Sequence, residues 1–197
     1  MKKKEVYHRF HLRLKIMFKV LVTAIFFIIL PLQLLADQND KRLNYLFEKL
    51  IIAENDNEIN KITNQIWKIW YEIDDPKITR LFETGVQMIS LGFYKRSIDY
   101  FDKVIISKPN FAEAWNKRAT AHFMMGNFDL SMQDISQTLQ LEPRHFGALD
   151  GMGLIFIHLN EHEKAIEIYD KMLEIFPNSI VTKLKKEKML SLSTKST

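Results

Sequence analysis

Apolar side chains fall into two patterns along this chain. From Val20 to Ala36 they form one uncharged run, VLVTAIFFIILPLQLLA. Beyond it they recur every three to four positions, which is the period of amphipathic helices. The pattern predicts helices over 41–54, 57–73, 77–90, 94–107, 111–124, 128–140, 146–158, 162–175 and 179–190. Asp75-Pro76 is a start signal for the third of these, with Asp as cap and Pro at the first helical position. The closing SLSTKST, 191–197, reads as a frayed tail.

The helical pattern repeats. The turn LGFYKRS at Leu91 returns as MGNFDLS at Met125 and as LNEHEKA at Leu159, each 34 residues from the last. Pro109, Pro143 and Pro177 keep the same spacing, as do Leu81, Trp115 and Leu149. So do Phe101, Ile135 and Tyr169. Gly92, Gly126 and Asn160 are residue types that accept a left-handed backbone cheaply, as the position just past a helix end demands. Gly85, Ala119 and Gly153 are small residues inside a helical pattern, matched on the following helix by Ser97, Ser131 and Ala165. Small size there lets two helices approach closely, and the large columns fill the space between them. Each Pro stops one helix and helps set the next. The unit is therefore helix, tight turn, helix, proline.

These columns, across roughly Ile78 to Asn178, resemble the tetratricopeptide repeat (TPR) family. Thr84 and Arg118 stand where that family usually has Leu, and Asn160 replaces a common Gly. The runs WNKRAT and LEPRHFGALDGMGLI also resemble a subgroup of bacterial TPR proteins with a signal sequence. The resemblance implies an all-α, right-handed α-solenoid with units at about 78–111, 112–145 and 146–178. It implies no catalytic activity.

Residues 37–75 read as a degenerate fourth helix pair capping the N-terminal end. Shifting the frame back by 34 places Phe47 under Leu81, Trp67 under Phe101 and Trp70 under Val104. The small columns fail, because Ile51 replaces Gly85 and Thr63 replaces Ser97. The helix at 179–190 would cover the last unit, since an uncapped solenoid end exposes apolar surface.

Charge changes the picture at the N-terminus only. Residues 1–19 hold seven of the 28 Lys and Arg and a single acid, Glu5. From Val20 onward there remain 21 bases against 23 acids, so the body is not a basic surface for nucleic acid. The nearest exception, Lys183, Lys185, Lys186 and Lys188, suits a solvated helix end. A positive flank, an apolar run and Ala36 at its end make 1–36 a secretory signal pattern. As a helix the run spans roughly 25 Å, short of a ~30 Å hydrocarbon core, and Pro31 interrupts it. Leu34, at a position where signal peptidase prefers a small residue, keeps an uncleaved anchor as the alternative. Met17 opens a shorter signal of its own and is a second candidate start. The expected location is periplasmic or secreted, or anchored in the inner membrane facing the periplasm. The chain has no cysteine, which removes disulfides, thiolate catalysis and Cys-based zinc sites.

Candidate chemistry is sparse. GMGLIF, from Gly151, lacks the third glycine and the preceding strand of a dinucleotide loop. His158 and His162 are split by the Asn160 turn and have no third ligand. Trp67, Trp70 and Trp115 suit packing between helices, and Asp99, Asp102 and Asp134 suit solvated faces. No catalytic, cofactor or metal site is expected.

What remains is a groove. Solenoids hold partners on a concave surface lined by the first helix of each unit. Between the packing columns lie Phe82, Val86 and Ile89; Asn116, Lys117, Thr120 and Phe123; and Asp150, Leu154 and Ile157. Some TPR proteins grip a terminal carboxylate here with Lys, Arg and Asn, but Phe82, Val86, Gly147 and Gly151 occupy the corresponding places. The expected function is a scaffold that holds a protein or peptide, with Phe82 and Phe123 as anchors and Asn116 and Lys117 as hydrogen-bonding groups. The alternatives are a structural component of an envelope assembly acting through self-association, and a groove partly filled by the chain's own ends. The oligomeric state is left open.

Overall fold

The structure, a computed structural model, describes residues 40–194. The leader-like segment 1–36 and the last residues, 195–197, lie outside the described residues. The helices are α1 (Lys41–Ile52), α2 (Asp56–Trp70), α3 (Pro76–Ser90), α4 (Tyr94–Ser107), α5 (Ala112–Met124), α6 (Phe128–Leu141), α7 (Phe146–His158), α8 (His162–Ile175) and α9 (Ile180–Ser193). No strand occurs among the described residues, and none of their helices is long and apolar enough to cross a membrane.

Helices α3 to α9 each pack on the next in sequence, and the first helices α3, α5 and α7 also touch in a row. That is the layout of three stacked hairpins with a covering helix, and the periodic columns explain each joint. Gly92 and Gly126 have φ +76° and Asn160 has φ 58°. The three turns close alike: Phe93 N–H donates to Met88 O, Asn127 N–H to His122 O and Glu161 N–H to Phe156 O, at 2.8–2.9 Å. A second bond runs from each left-handed residue to the carbonyl three back. Together these satisfy the end carbonyls of α3, α5 and α7. The small columns sit where the hairpin arms touch. A Cβ on Gly85 would lie 2.7 Å from the Phe101 ring, and one on Gly153 would lie 3.3 Å from Tyr169. Ser97, Ser131 and Ala165 are buried, and the Ser131 hydroxyl donates to Ala119 O at 2.8 Å. At the start of α3, Asp75 accepts from Lys77 N–H and Ile78 N–H.

The N-terminal pair packs differently from a fourth stacked unit. Leu43, Leu46, Phe47 and Leu50 of α1 and Ile59, Ile62, Ile66 and Trp70 of α2 share one buried cluster with the third unit and α9. Phe146, Leu149, Ile168, Tyr169, Met172 and Met189 belong to that cluster. The first unit has its own core, built on Phe82, Phe101, Val104 and Phe111. Polar ties fix the placement. Asn178 Nδ2 donates to Ala53 O at 2.9 Å, Ile180 N–H to Asp56 Oδ1 at 3.2 Å and Arg144 Nη1 to Asn44 Oδ1 at 3.2 Å. The guanidinium of Arg144 also lies 4.0 Å over the Phe47 ring. Without a small residue at Ile51 or Thr63 the pair lacks the close seam of a regular hairpin. Its two tryptophans instead find apolar partners across the fold.

Candidate functional site

The row of first helices creates a hollow between α5 and α7 of about 160 Å³. Asn116, Ala119, Thr120 and Phe123 line one wall, Gly147, Asp150, Gly151 and Leu154 the other, and Ser131 and Ile135 the floor. Gly151, whose Cβ would meet only Ile135 at 3.4 Å, keeps the α7 wall low. Phe123 is held edge-on by His158 and tilted against Phe128, at centroid distances of 5.4 and 5.6 Å. Asp150 is paired with Lys185 Nζ, reaching in from α9. Leu154 is 39% exposed, a large apolar side chain presented to solvent at the rim.

A cluster of charge lies next to the hollow, over the N-terminal ends of α5 and α7. Glu113 is fully buried and makes a 2.9 Å bond with His145 Nε2, and it accepts from Asn116 Nδ2 at 3.2 Å. His145 caps α7, its Nδ1 accepting from Ala148 N–H at 3.1 Å. Burial opposes ionisation of Glu113. The His145 bond, with Lys117 and Asn116, outweighs it and holds the carboxyl below its ordinary range. Lys117 Nζ stands 3.9 Å from Glu113. Burial works against its charge, but Glu113 and Tyr71 outweigh that and raise its pKa.

Helix α2 roofs this cluster. The Trp70 ring stacks on His145 at 4.2 Å with planes 8° apart, and Trp67 meets His145 and Phe146 edge-on at 5.5 and 5.2 Å. Lys117 Nζ lies 5.2 Å from the Trp67 ring and 5.4 Å from Tyr71. Gly147 makes the fit possible, since a Cβ there would lie 2.7 Å from Trp67 Cη2.

The structure thus divides the expected groove residues. Asn116, Thr120, Phe123, Asp150 and Leu154 come together around the hollow. Phe82 is a core residue, 2% exposed, between Phe101 and Phe111 with Tyr71 on its outer side. Val86 and Ile89 pack on the first-unit core, and Ile157 packs on the third-unit core. Lys117 lies under α2. Asn116 spends its amide on Glu113. The Glu113–His145 pair carries no sequence signal, because its members sit on different helices in unrelated columns.

Two of the acids expected on solvated faces, Asp102 and Asp134, are also put to use. Arg118, at a position where Leu was expected, donates to both oxygens of Asp134 at 2.8 and 2.6 Å and to Asp102 at 2.6 Å. It joins α4, α5 and α6 through one guanidinium. Asp134 is 4% exposed. Two of the four C-terminal lysines likewise have partners, Lys185 on Asp150 and Lys186 on Asp170.

Stacked hairpins with left-handed turns at one spacing, and a row of first helices facing a hollow, define a helical repeat solenoid. Comparison with known proteins agrees. The Tetratricopeptide repeat profile matches residues 147–179. A TPR repeat-containing protein of Rhizobium etli is 34% identical over 137 residues, covering 70% of this chain and 67% of that protein. The chain belongs to the tetratricopeptide repeat family. It is 26% identical over 110 residues to the small glutamine-rich tetratricopeptide repeat-containing protein 2 of Mycosarcoma maydis, covering 56% of this chain but only 31% of that relative's length. Among solved structures, the first TPR of Spaghetti (RPAP3) bound to an HSP90 peptide superposes with a TM-score of 0.57 at 24% identity, covering 62% of this chain and 99% of that one.

Proposed function

We propose that this chain is a protein-binding scaffold that holds a protein or peptide segment in the hollow between α5 and α7. The observation that carries the reading is the hollow itself: a concave opening with an exposed aliphatic rim at Leu154, an aromatic wall at Phe123 and polar groups at Thr120 and Asp150. Such a mixture of apolar body and few polar handles suits an extended or helical segment laid across first helices. A similar fold, the RPAP3 domain bound to an HSP90 peptide, supports binding of a peptide as the mode. Carboxylate capture is not part of the proposal, since Gly147 and Gly151 offer no cation and Lys117 is engaged with Glu113. No catalytic role is proposed.

Leu154→Glu and Thr120→Arg place charge at the rim without entering the core. Both should reduce partner recovery from an extract of the source cells at least tenfold, with helical circular dichroism unchanged. Ile106→Glu, at an 82% exposed position on α4, should leave recovery intact. Equal recovery from all three variants would refute the site.

We further propose export, supported by the positive flank and apolar run of 1–36. Cell fractionation with mass spectrometry of the mature N-terminus tests it, and a cytoplasmic, unprocessed chain would sink it. A second reading, self-association, is favoured by exposed aliphatics where the end of α1 meets the start of α9. Ile51, Ile52, Ile180, Val181 and Leu184 are all at least half exposed. A monomer by light scattering at high concentration would rule it out.

A further inference from the structure

Helix α2 lies on the solenoid as a bound segment lies on a receptor. It joins the first unit through a short stretch, Tyr71–Asp75, and buries its apolar face on α1 and on the third unit rather than on the first unit. What it covers is not a plain apolar seam. Beneath its two tryptophans sit a cation, Lys117, and the Glu113–His145 pair. The Trp70 indole N–H is buried with no acceptor among the described residues. A permanent core joint meets such groups rarely, because burying charge and orphaning a donor both oppose closure. A recognition surface meets them routinely. Gly147 is the notch that takes one ring, and His145 is the flat face that takes the other.

We infer that the N-terminal ends of α5 and α7 form a second docking socket, built for a helix carrying two aromatic side chains three residues apart, and that α2 is its resident, displaceable occupant. Trp67 and Trp70 are the pair, set edge to face at 5.2 Å. When α2 lifts away, Lys117, Glu113 and His145 open to solvent and join the hollow at Asn116. The concave face then extends across both regions. An incoming helix of the same pattern competes with α2 for the notch, so the segment tunes access to the groove.

The inference rests on the groove reading only in placing the socket on the concave side. Its test uses the chain's own segment. Native-state hydrogen exchange of the full chain at increasing urea should show α1 and α2 opening at lower urea than α3–α8. A fluorescein-labelled peptide of residues 55–72 should bind the full-length Trp67→Ala/Trp70→Ala chain at least tenfold tighter than the wild-type chain. Adding Gly147→Ala to that chain should weaken the peptide at least tenfold, because the new methyl fills the notch. Gly151→Ala, whose Cβ meets only Ile135 at 3.4 Å, should leave peptide binding unchanged. Leu154→Glu should also leave it unchanged, which separates failure of the socket from failure of the hollow. Exchange of α1 and α2 only with global unfolding would overturn the inference, and needs no variant to fold. Equal peptide affinity for the wild-type and double-variant chains, or indifference to Gly147→Ala, would overturn it as well.

Discussion

Arg118 offers the sharpest test of how the units are tied together. Its side chain is 19% exposed, and it grips Asp134, 6% exposed at the side chain, with two parallel bonds. The third bond, to the more open Asp102, is worth little, under about 1 kcal/mol for a pair so exposed. Replacing Arg118 by Met keeps the stem's packing but leaves the Asp134 carboxylate buried without a cation. Breaking one side of such a pair costs about 3–5 kcal/mol, and the partial exposure of Arg118 places this case toward the lower end, about 3 kcal/mol. With a urea m-value on the order of 2 kcal/mol/M, the midpoint should fall by about 1.5 M. Removing the charge as well, in Arg118→Met/Asp134→Leu, should restore the stability to within about 1 kcal/mol of wild type, because both desolvation penalties vanish together. Urea titration followed by circular dichroism reads all three proteins. A single variant losing less than 1 kcal/mol, or a double variant no better than the single, would refute the buried-pair argument.

Other changes probe the columns and the cluster. Phe101→Ala removes a fully buried ring against Gly85 and Phe82 and should cost about 3–5 kcal/mol in the same titration. Gly126→Ala puts a Cβ at φ +76° with open space around it, so the loss is purely conformational, about 1–2 kcal/mol. The folded state holds the Glu113 carboxyl below its unfolded value of 4.5, so its contribution is present above that pH and is lost as pH falls through the folded value. Glu113→Gln should therefore flatten the acid limb of the stability profile below pH 4.5, as midpoint measurements at several pH values would show.

The repeat was legible because each unit needs the same few things at the same places. A left-handed residue ends one helix, a small residue meets a large one across the hairpin, and a proline stops the second arm. The small and large columns could be read from spacing, and the structure adds which meet: Gly85 against Phe101 and Gly153 against Tyr169. The seat of α1 and α2 could not, because those helices carry no periodic column that names a partner, and amphipathic faces alone do not say which surface they cover. Trp67 and Trp70 read as packing residues, and so they are, but their partners lie across the fold on α7. Of the site, the part around Asn116, Thr120, Phe123, Asp150 and Leu154 followed from solenoid geometry. Phe82 was misplaced because an aromatic on a first helix can turn inward when a neighbouring loop residue, here Phe111, offers a ring. Asp134 read as solvated because its cation sits 16 residues away on another helix.

The claim that a partner segment lies in the hollow between α5 and α7 can be tested at single positions. A photoreactive benzoyl-phenylalanine at Thr120 or Leu154, irradiated in intact cells, should capture the same protein from both sites. The crosslinked peptides should map to one segment of it, and the same probe at Ile106 should capture none. Crosslinks to that segment from Ile106, with none from Thr120 or Leu154, would place binding elsewhere and contradict the account.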